Sequence, residues 1–492
     1  MFDQLSFEDF HKLSLSHRRV AVYQEFSADL ITPMAALQAI QEKQEEVVLL
    51  ESGETESTVG RYSHIGFAPI AEIEAFGFDI HLKEGGKVET HEGDPFHLLR
   101  KLRIKYSCGT NRPLLGFCGG AAGYLSYDGV RYFEKIPDRH KDRVEYPDLF
   151  FQFFDRGITF DHVKNRVLIV RIIEVEGEAQ KAYDEANKEI SNIHQMIMTT
   201  SPKEKREMRS FDLTKNVTTV PDDETFRSII DKAKKYIYDG DTFQVVPSRR
   251  FEMKCTATPF EMYRSLRHTS PSPYMFYFSL PKYAILGASP EKLVSVRGRQ
   301  LETIPLAGTR PRGKSEKEDQ EYERDLLSDP KESAEHMMLV DLGRNDLGIV
   351  SKPGTVRVDK LKVVQRFSHV MHLASFVQGE LKEELDAFDA LQATFPAGTL
   401  TGAPKIRAME IIDELEPRRR GPYGGAICFF DHQGNLESCI GIRMATVKDG
   451  KAVVQAGMGI VIDSDPDKEL EESRQKALGV LSALQAAEEG RL

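Results

Sequence analysis

Apolar positions along this chain follow two rhythms. Short runs dense in β-branched and aromatic residues, EVVLL (46–50), LFFQFFD (149–155), RVLIVRIIEV (166–175), YAILGAS (283–289), KLVSVRG (292–298), AICFFD (426–431) and KAVVQAGMGIVID (451–463), predict strands. Period 3.6 instead marks 178–197, 226–237, 260–267 and a C-terminal segment where Leu470, Ala477, Leu478, Leu481 and Leu484 recur, so these predict helices. Turn-like DHQGN (431–435) and KDGK (448–451) join neighbouring strands closely enough to make them antiparallel. The fold class is therefore mixed α/β (α+β) with antiparallel character. The clearest break in the pattern is 199–226, polar and charged, which divides the chain into an N-terminal region (1–200), a connecting segment (201–222) and a C-terminal region (223–484).

Composition narrows the class. A length of 492 residues suits a sizeable core. Five cysteines without metal-ligand spacing argue for reduced thiols, and Cys118, Cys255, Cys428 and Cys439 sit among apolar neighbours as small buried side chains would. No run is long enough to cross a bilayer and the start has no signal-peptide pattern, so the expected location is cytoplasmic, with no membrane partner. A net charge of −11, from 66 basic and 77 acidic side chains, speaks against nucleic acid as a partner. It also means that a pocket for an anionic substrate must supply its own positive potential.

Candidate chemistry concentrates in 421–480, which holds Tyr423, Arg443, the glycine turn Gly457–Met458–Gly459, Glu472 and Lys476. Arg443 offers a planar fork suited to a carboxylate, and glycines let backbone N–H groups approach an anion. Glu472 and Lys476, at i and i+4, share a helix face, and the ordinary reading of such a pair is a surface salt bridge. Upstream, Glu332 and Glu335 at i and i+3 precede an apolar run, where acids ordinarily favour a helix start. Hard oxygen ligands given singly from separate helices are also how Mg²⁺ is held, so Glu335 and Glu472 are candidate ligands.

Blocks spread over 223–484 carry a more specific signal: GDTFQVVPSRRF, SPSPYMFYF, GASPEKLV, ETIPLAGTRPRG, EHMMLVDLGRNDLG, SHVMHL, FPAGTLTGAPKIRAMEII and the C-terminal block, with LLESGE (49–54) and GFCGGAAGYLSYD (116–128) before them. In this order they resemble the large subunit of anthranilate synthase, within the chorismate-utilising enzymes. The resemblance implies stacked, largely antiparallel sheets flanked by helices, and formation of anthranilate and pyruvate from chorismate and ammonia. It implies Glu291 as the acid that protonates the departing C4 hydroxyl and His372 as a proton-handling group. Gln244, Lys476 and Thr401 complete the catalytic set, while Lys405 is read as structural. Gly308, Thr309, Tyr423, Arg443, Gly457, Met458 and Gly459 match chorismate-binding positions. Glu335 and Glu472 match Mg²⁺ ligands, with Glu332 contributing through water.

Two positions separate the reactions of the relatives. Gln244 stands where isochorismate and salicylate synthases carry a lysine that activates water, and Ala307 where aminodeoxychorismate synthases carry a nucleophilic lysine. Aminodeoxychorismate synthesis, or a catalytically silent binding member of the fold, is the alternative. With no glutaminase nucleophile motif in the chain, ammonia is expected from a separate glutamine amidotransferase subunit, in a hetero-oligomer. The basic GTRPRGK and PRRRG segments read as solvated loops rather than as that contact. Glu51, Ser52, Pro273, Tyr274, Met275 and Cys439 match a feedback site for tryptophan, with Ser270 departing from the usual Asn. The chain itself contains no tryptophan.

Overall fold

The structure is a computed structural model that describes residues 3–53, 60–114, 116–140, 145–199, 208–367 and 370–491. Among these residues, one eleven-stranded and one twelve-stranded sheet account for all but one short two-stranded ribbon, and their strand pairs are antiparallel. The sheets face each other across a core that includes Val48, Phe276, Phe278, Ile285 and Met444 from the first and Ala122, Tyr124, Phe150, Ile427 and Cys439 from the second. Helices cover the outer faces: Ala179–Met198, Pro259–Thr269 and most of Pro466–Glu488 on the first sheet, Asp223–Tyr238, Pro330–Val350, Ala387–Thr394 and Lys405–Leu415 on the second. A strand in this position is buried on both faces. In Tyr274–Ser279, Phe276 and Phe278 point between the sheets while Met275 and Tyr277 point at the helices, which explains why YMFYF shows no polar alternation.

The predicted strands and helices are present, with one overrun: the last strand ends at Gly457 rather than at 463. The C-terminal helix buries Leu470, Ala477, Leu481 and Leu484 and leaves Leu478 exposed, as one amphipathic face requires. Of the connection expected at 201–222, residues 201–207 lie outside the described residues, and the remainder holds the short helix Leu213–Asn216 and the edge strand Val217–Val220. Both sheets mix strands from before and after it. Cys118, Cys428 and Cys439 are buried as expected, whereas Cys255 is only half-buried. Among the described residues no helix is long and apolar enough to cross a membrane.

PRRRG is not a solvated loop. Arg419 pairs with Asp138 and Asp148, and Arg420 is 3% exposed. The Arg420 guanidinium lies 2.6 Å from Glu416, itself 4% exposed, and donates to the carbonyls of Leu400 and Val246, both at 2.6 Å. Glu416 in turn accepts from the Ser248 backbone N–H at 2.7 Å and its hydroxyl at 2.9 Å. One buried ion pair thus ties the helix Lys405–Leu415, the 398–402 turn, the Gln244–Val245 ribbon and the strand Ser248–Lys254.

Removing one partner of such a pair leaves the other charge buried without compensation, so Glu416→Ala should lower unfolding free energy by about 3–5 kcal/mol. Urea denaturation followed by far-ultraviolet circular dichroism checks this, and a loss below about 1 kcal/mol, the value of an exposed pair, would contradict the role given to it.

Candidate active site

Two short crossings between the sheets position the central groups. Pro290–Glu291 leads from Ala284–Ser289 in the first sheet to Lys292–Arg297 in the second. Residues 441–443 return from Leu436–Ile440 in the second to Met444–Lys448 in the first. The crossings run side by side because antiparallel pairing continues through them: Ile440 N–H donates to Glu291 O and Ala288 N–H to Arg443 O, both at 3.0 Å. Glu291, which sequence reading in isolation would place at a helix start, therefore sits in a turn between strands. Arg443, at φ +50°, occupies the matching place on the other crossing.

Burial pushes the Glu291 carboxyl up to about 7, against the opposing influence of a 2.9 Å hydrogen bond from Thr399 Oγ1 and the nearby Lys476 ammonium. Such a group is an acid near neutral pH. Arg443 is pulled below its ordinary value by burial, offset by Tyr423 and Glu472, and it donates to the Lys476 carbonyl. Burial pushes Tyr423 up to about 12, so its hydroxyl stays protonated, and that oxygen receives the Gly457 N–H. A Cβ at Gly457 would stand 3.0 Å from it, which is why glycine occupies the end of this strand. Met458 N–H donates to Pro247 O at 3.2 Å, so two of the three amides in the Gly457–Met458–Gly459 turn are engaged within the protein.

His372 stands on the strand Val370–Glu380 opposite Gly308 and Thr309. The pairing shifts register between Ala307 and Thr309, and Gly308 takes φ +67° there, where a Cβ would meet Glu332 Oε2 at 3.0 Å. This bulge aims the Gly308 carbonyl at His372 Nδ1, 2.8 Å away, with Thr309 Oγ1 at 3.0 Å. A carbonyl only accepts, so Nδ1 carries the proton. Burial and the Arg443 charge hold the imidazole below its ordinary value, leaving Nε2 with its lone pair.

Acids from two helices face this centre: Glu332 and Glu335 from Pro330–Val350, Glu469 and Glu472 from Pro466–Glu488. Burial first, then Glu332, raises the Glu335 carboxyl, which accepts a hydrogen bond from the Gln244 amide. Burial and Glu472 likewise raise Glu469. Lys331 and Lys476 lower both, lying near each group. The expected helical pair is present, with Lys476 Nζ 2.7 Å from Glu472 and 3.1 Å from the Gly457 carbonyl. Among the described residues no three acidic, imidazole or thiol groups converge to hold a metal by themselves. The donors present fit a hard cation that keeps water and takes further oxygens from a bound anion, and a cation would relieve the repulsion that raises Glu335.

Thr401 is fully buried and its hydroxyl donates to Ala397 O at 3.1 Å, so it shapes its own turn and offers nothing to a ligand. Lys405 pairs with Asp346 at 2.8 Å. Gln244 is 5% exposed, and a Cβ at Gly459 would lie 2.4 Å from its Nε2, which places that glycine against the amide. Sequence reasoning missed Thr399, Lys331 and Glu469. Only Glu469 carried a signal, its i, i+3 spacing to Glu472.

A cavity of about 130 Å³ lies apart from this centre, between the sheets. Its walls include Glu51, Tyr274, Met275 and Cys439, four of the six residues matched to a tryptophan site, with Phe429, Arg297 and Glu437 beside them. The Glu51 carboxylate accepts from Tyr263 at 2.7 Å and Arg267 at 2.9 Å. Ser52 and Pro273 adjoin the wall residues in sequence.

A family model described as chorismate binding enzyme matches residues 45–482. Anthranilate synthase component 1 of Acetivibrio thermocellus is 45% identical over 476 residues, covering 96% of each chain. Its counterpart in Aquifex aeolicus is 40% identical over 486 residues, 99% of this chain and 98% of that one. The crystal structure of anthranilate synthase component I from Streptococcus pneumoniae TIGR4 matches with a TM-score of 0.75 at 35% identity, over 92% of this chain and 98% of that one. The menaquinone-specific isochorismate synthase from Escherichia coli shares the fold, with a TM-score of 0.71 at 19% identity.

Thr399 favours the charged form of Glu291, so Thr399→Val should move the Glu291 titration above its value of about 7. Infrared titration of the carboxyl band, with Glu291→Gln identifying the signal, reads the shift. An unmoved band would remove Thr399 from the control of this acid.

Proposed function

The chain belongs to the anthranilate synthase component 1 family of chorismate-binding enzymes, and from that membership we propose how its residues divide the conversion of chorismate and ammonia to anthranilate, pyruvate and water. The observation that carries the reading is the pairing of the two crossings, which puts Glu291, buried and raised to about 7, and the buried Arg443 on neighbouring turns between the sheets.

Chorismate is a dianion, and Arg443, Tyr423 and Lys476 are the donors that hold its carboxylates. Gly308 and Thr309 line the same site from the bulged strand. Ammonia adds at C2 as the C4 hydroxyl leaves. Hydroxide is a poor leaving group, so Glu291 gives it a proton and water departs. His372, neutral with its lone pair on Nε2, then accepts the ring proton whose loss drives pyruvate elimination and makes the ring aromatic. Glu335 and Glu472, with Glu332 through water, would hold Mg²⁺, which when bound neutralises and polarises the ring carboxylate. The amide of Gln244 cannot act as a base toward water, and Ala307 offers no amine, so the structure supports nitrogen transfer over isochorismate formation or a covalent lysine route.

Ammonia comes from glutamine through a partner amidotransferase subunit, in a cytoplasmic hetero-oligomer. The cavity between the sheets takes tryptophan as a feedback inhibitor: its walls supply aromatic contact, with Glu437 and Arg297, 3.5 Å apart, as charged groups in its wall.

The isolated chain with Mg²⁺ should release anthranilate and pyruvate in equal amounts from chorismate and ammonium salts, and should use glutamine only after a component II subunit is added. Isochorismate, salicylate or aminodeoxychorismate as the main product would overturn the reading. The acid must be protonated to work, so kcat divided by free ammonia concentration should fall as pH rises through about 7, the value of Glu291. Glu291→Gln should lower kcat by about two to four orders of magnitude and flatten that limb. A limb that survives the substitution would assign the acid elsewhere.

A further inference from the structure

The backbone of the turn that carries Glu291 is held by two hydrogen bonds, one of them to a serine that touches the wall of the inter-sheet cavity. Its N–H donates to Ser289 Oγ at 3.3 Å and its carbonyl accepts from Ile440 N–H at 3.0 Å. Ser289 is fully buried, and its hydroxyl donates to the sulfur of Cys439, a wall residue of the cavity. The same serine is the register partner of Tyr274, a second wall residue. On the other side of the turn, Lys292 pairs in register with Cys439. Its side chain is 6% exposed, and its ammonium lies 2.8 Å from Glu302, 3.1 Å from Ser295 Oγ and 3.5 Å from Glu437 Oε1. That same Glu437 oxygen accepts the Tyr274 hydroxyl at 3.0 Å.

Neither Ser289 nor Lys292 lines the cavity, yet each is one bond from a wall residue and next to Glu291 in the acid's turn or on its flank. A buried lysine that meets two carboxylates tolerates little displacement of either, because a lost contact leaves charge unpaired away from water. Ser289 has a single hydroxyl divided between the wall and the acid, so a shift of Cys439 draws on the bond that fixes Glu291. A general acid must lie within hydrogen-bond reach of its leaving group, and misplacement by about 1 Å costs on the order of a hundredfold in rate. The network is a contiguous physical route from cavity to acid, only two side chains long.

We propose that Ser289 and Lys292 are positioning residues for the Glu291 acid, and that an aromatic amino acid in the cavity slows the reaction by shifting the wall residues to which they are bonded. This rests on the readings of Glu291 as the acid and of the cavity as the tryptophan site, and it adds the residues that join them.

The experiment compares wild type, Ser289→Ala, Ser289→Thr and Lys292→Met in two measurements on the same preparations. Tryptophan binding is read from ligand indole emission, which is clean because the chain has no tryptophan. Inhibition is read from ammonium-dependent anthranilate formation. Without tryptophan, Ser289→Ala should lower kcat about tenfold with chorismate KM unchanged, and Ser289→Thr, which keeps the hydroxyl, should recover most of it. With tryptophan, Ser289→Ala should bind within about threefold of wild type, yet its fractional residual rate at saturation should rise about tenfold, since the acid no longer follows the wall. Lys292→Met, reached from the other end of the network, should separate binding from inhibition in the same way. Inhibition that weakens only in step with binding in both variants, or an unchanged kcat in Ser289→Ala, would overturn the proposal. A wild type that binds no tryptophan would instead overturn the reading of the cavity, while the kcat comparison still decides whether Ser289 positions the acid.

Discussion

A charge pair buried beneath the active site holds the parts that chemistry needs in register. Glu416 and Arg420 lie four residues apart in the segment that follows the helix Lys405–Leu415, and between them they satisfy the carbonyls of Leu400 and Val246 and the N–H of Ser248. Taking both ions out of water is costly, and the cost is met only when each remaining donor and acceptor finds a partner. That requirement fixes three chain segments with no common secondary structure. The ribbon that presents Gln244, the turn that follows Thr399 and the strand that faces Gly457 all converge on one guanidinium and one carboxylate. Arg420 also lies 4.3 Å from the Tyr127 ring centroid, so the pair is walled by an aromatic face as well.

Above this knot the site is built from strand ends rather than from long loops. The crossings at Pro290–Glu291 and 441–443 are too short to wander, and the hydrogen bonds that flank them, Ala288 N–H to Arg443 O and Ile440 N–H to Glu291 O, tie both to sheet register. The helices supply what sheets cannot: Lys476, Glu472 and Glu335 reach in from opposite sides as long side chains. Short strand crossings at Glu291 and long helical side chains at Lys476, Glu472 and Glu335 give a division of labour that follows from which element carries which residue.

The sequence was legible wherever a residue acts through local pattern or through a specific motif. Period 2 and period 3.6 located the strands and helices, and block order placed Glu291, His372, Arg443 and Tyr423, which the fold does bring together around one centre. What the chain could not reveal was long-range pairing. Arg419 and Arg420 looked like solvated charge because their acids, Asp138, Asp148 and Glu416, carry no signal of contact; even the i, i+4 spacing of Glu416 and Arg420 is equally common on exposed helices. Thr399 was passed over for Thr401, since two threonines two residues apart are indistinguishable until the turn shows which hydroxyl faces the acid and which its own backbone. The sheet order was likewise hidden, because no local pattern says that Tyr274–Ser279 lies between Val47–Glu51 and Ala284–Ser289.

That order bears on how the chain comes to exist. Val47–Glu51 waits for Tyr274–Ser279, more than two hundred residues later, and Ala121–Leu125 pairs with Ala426–Phe430, three hundred residues on. A ribosome delivers residues in one direction, so neither sheet closes until nearly the whole polypeptide has emerged. Until then the early strands present bare edges and one uncovered apolar face, the features that invite pairing with another nascent chain. A high contact order of this kind makes folding slow and places the risk during synthesis rather than after it. The interleaving that sets the turns of Glu291 and Arg443 side by side in the finished enzyme thus makes the newborn chain dependent on protection from its neighbours until its last helix, Pro466–Glu488, arrives.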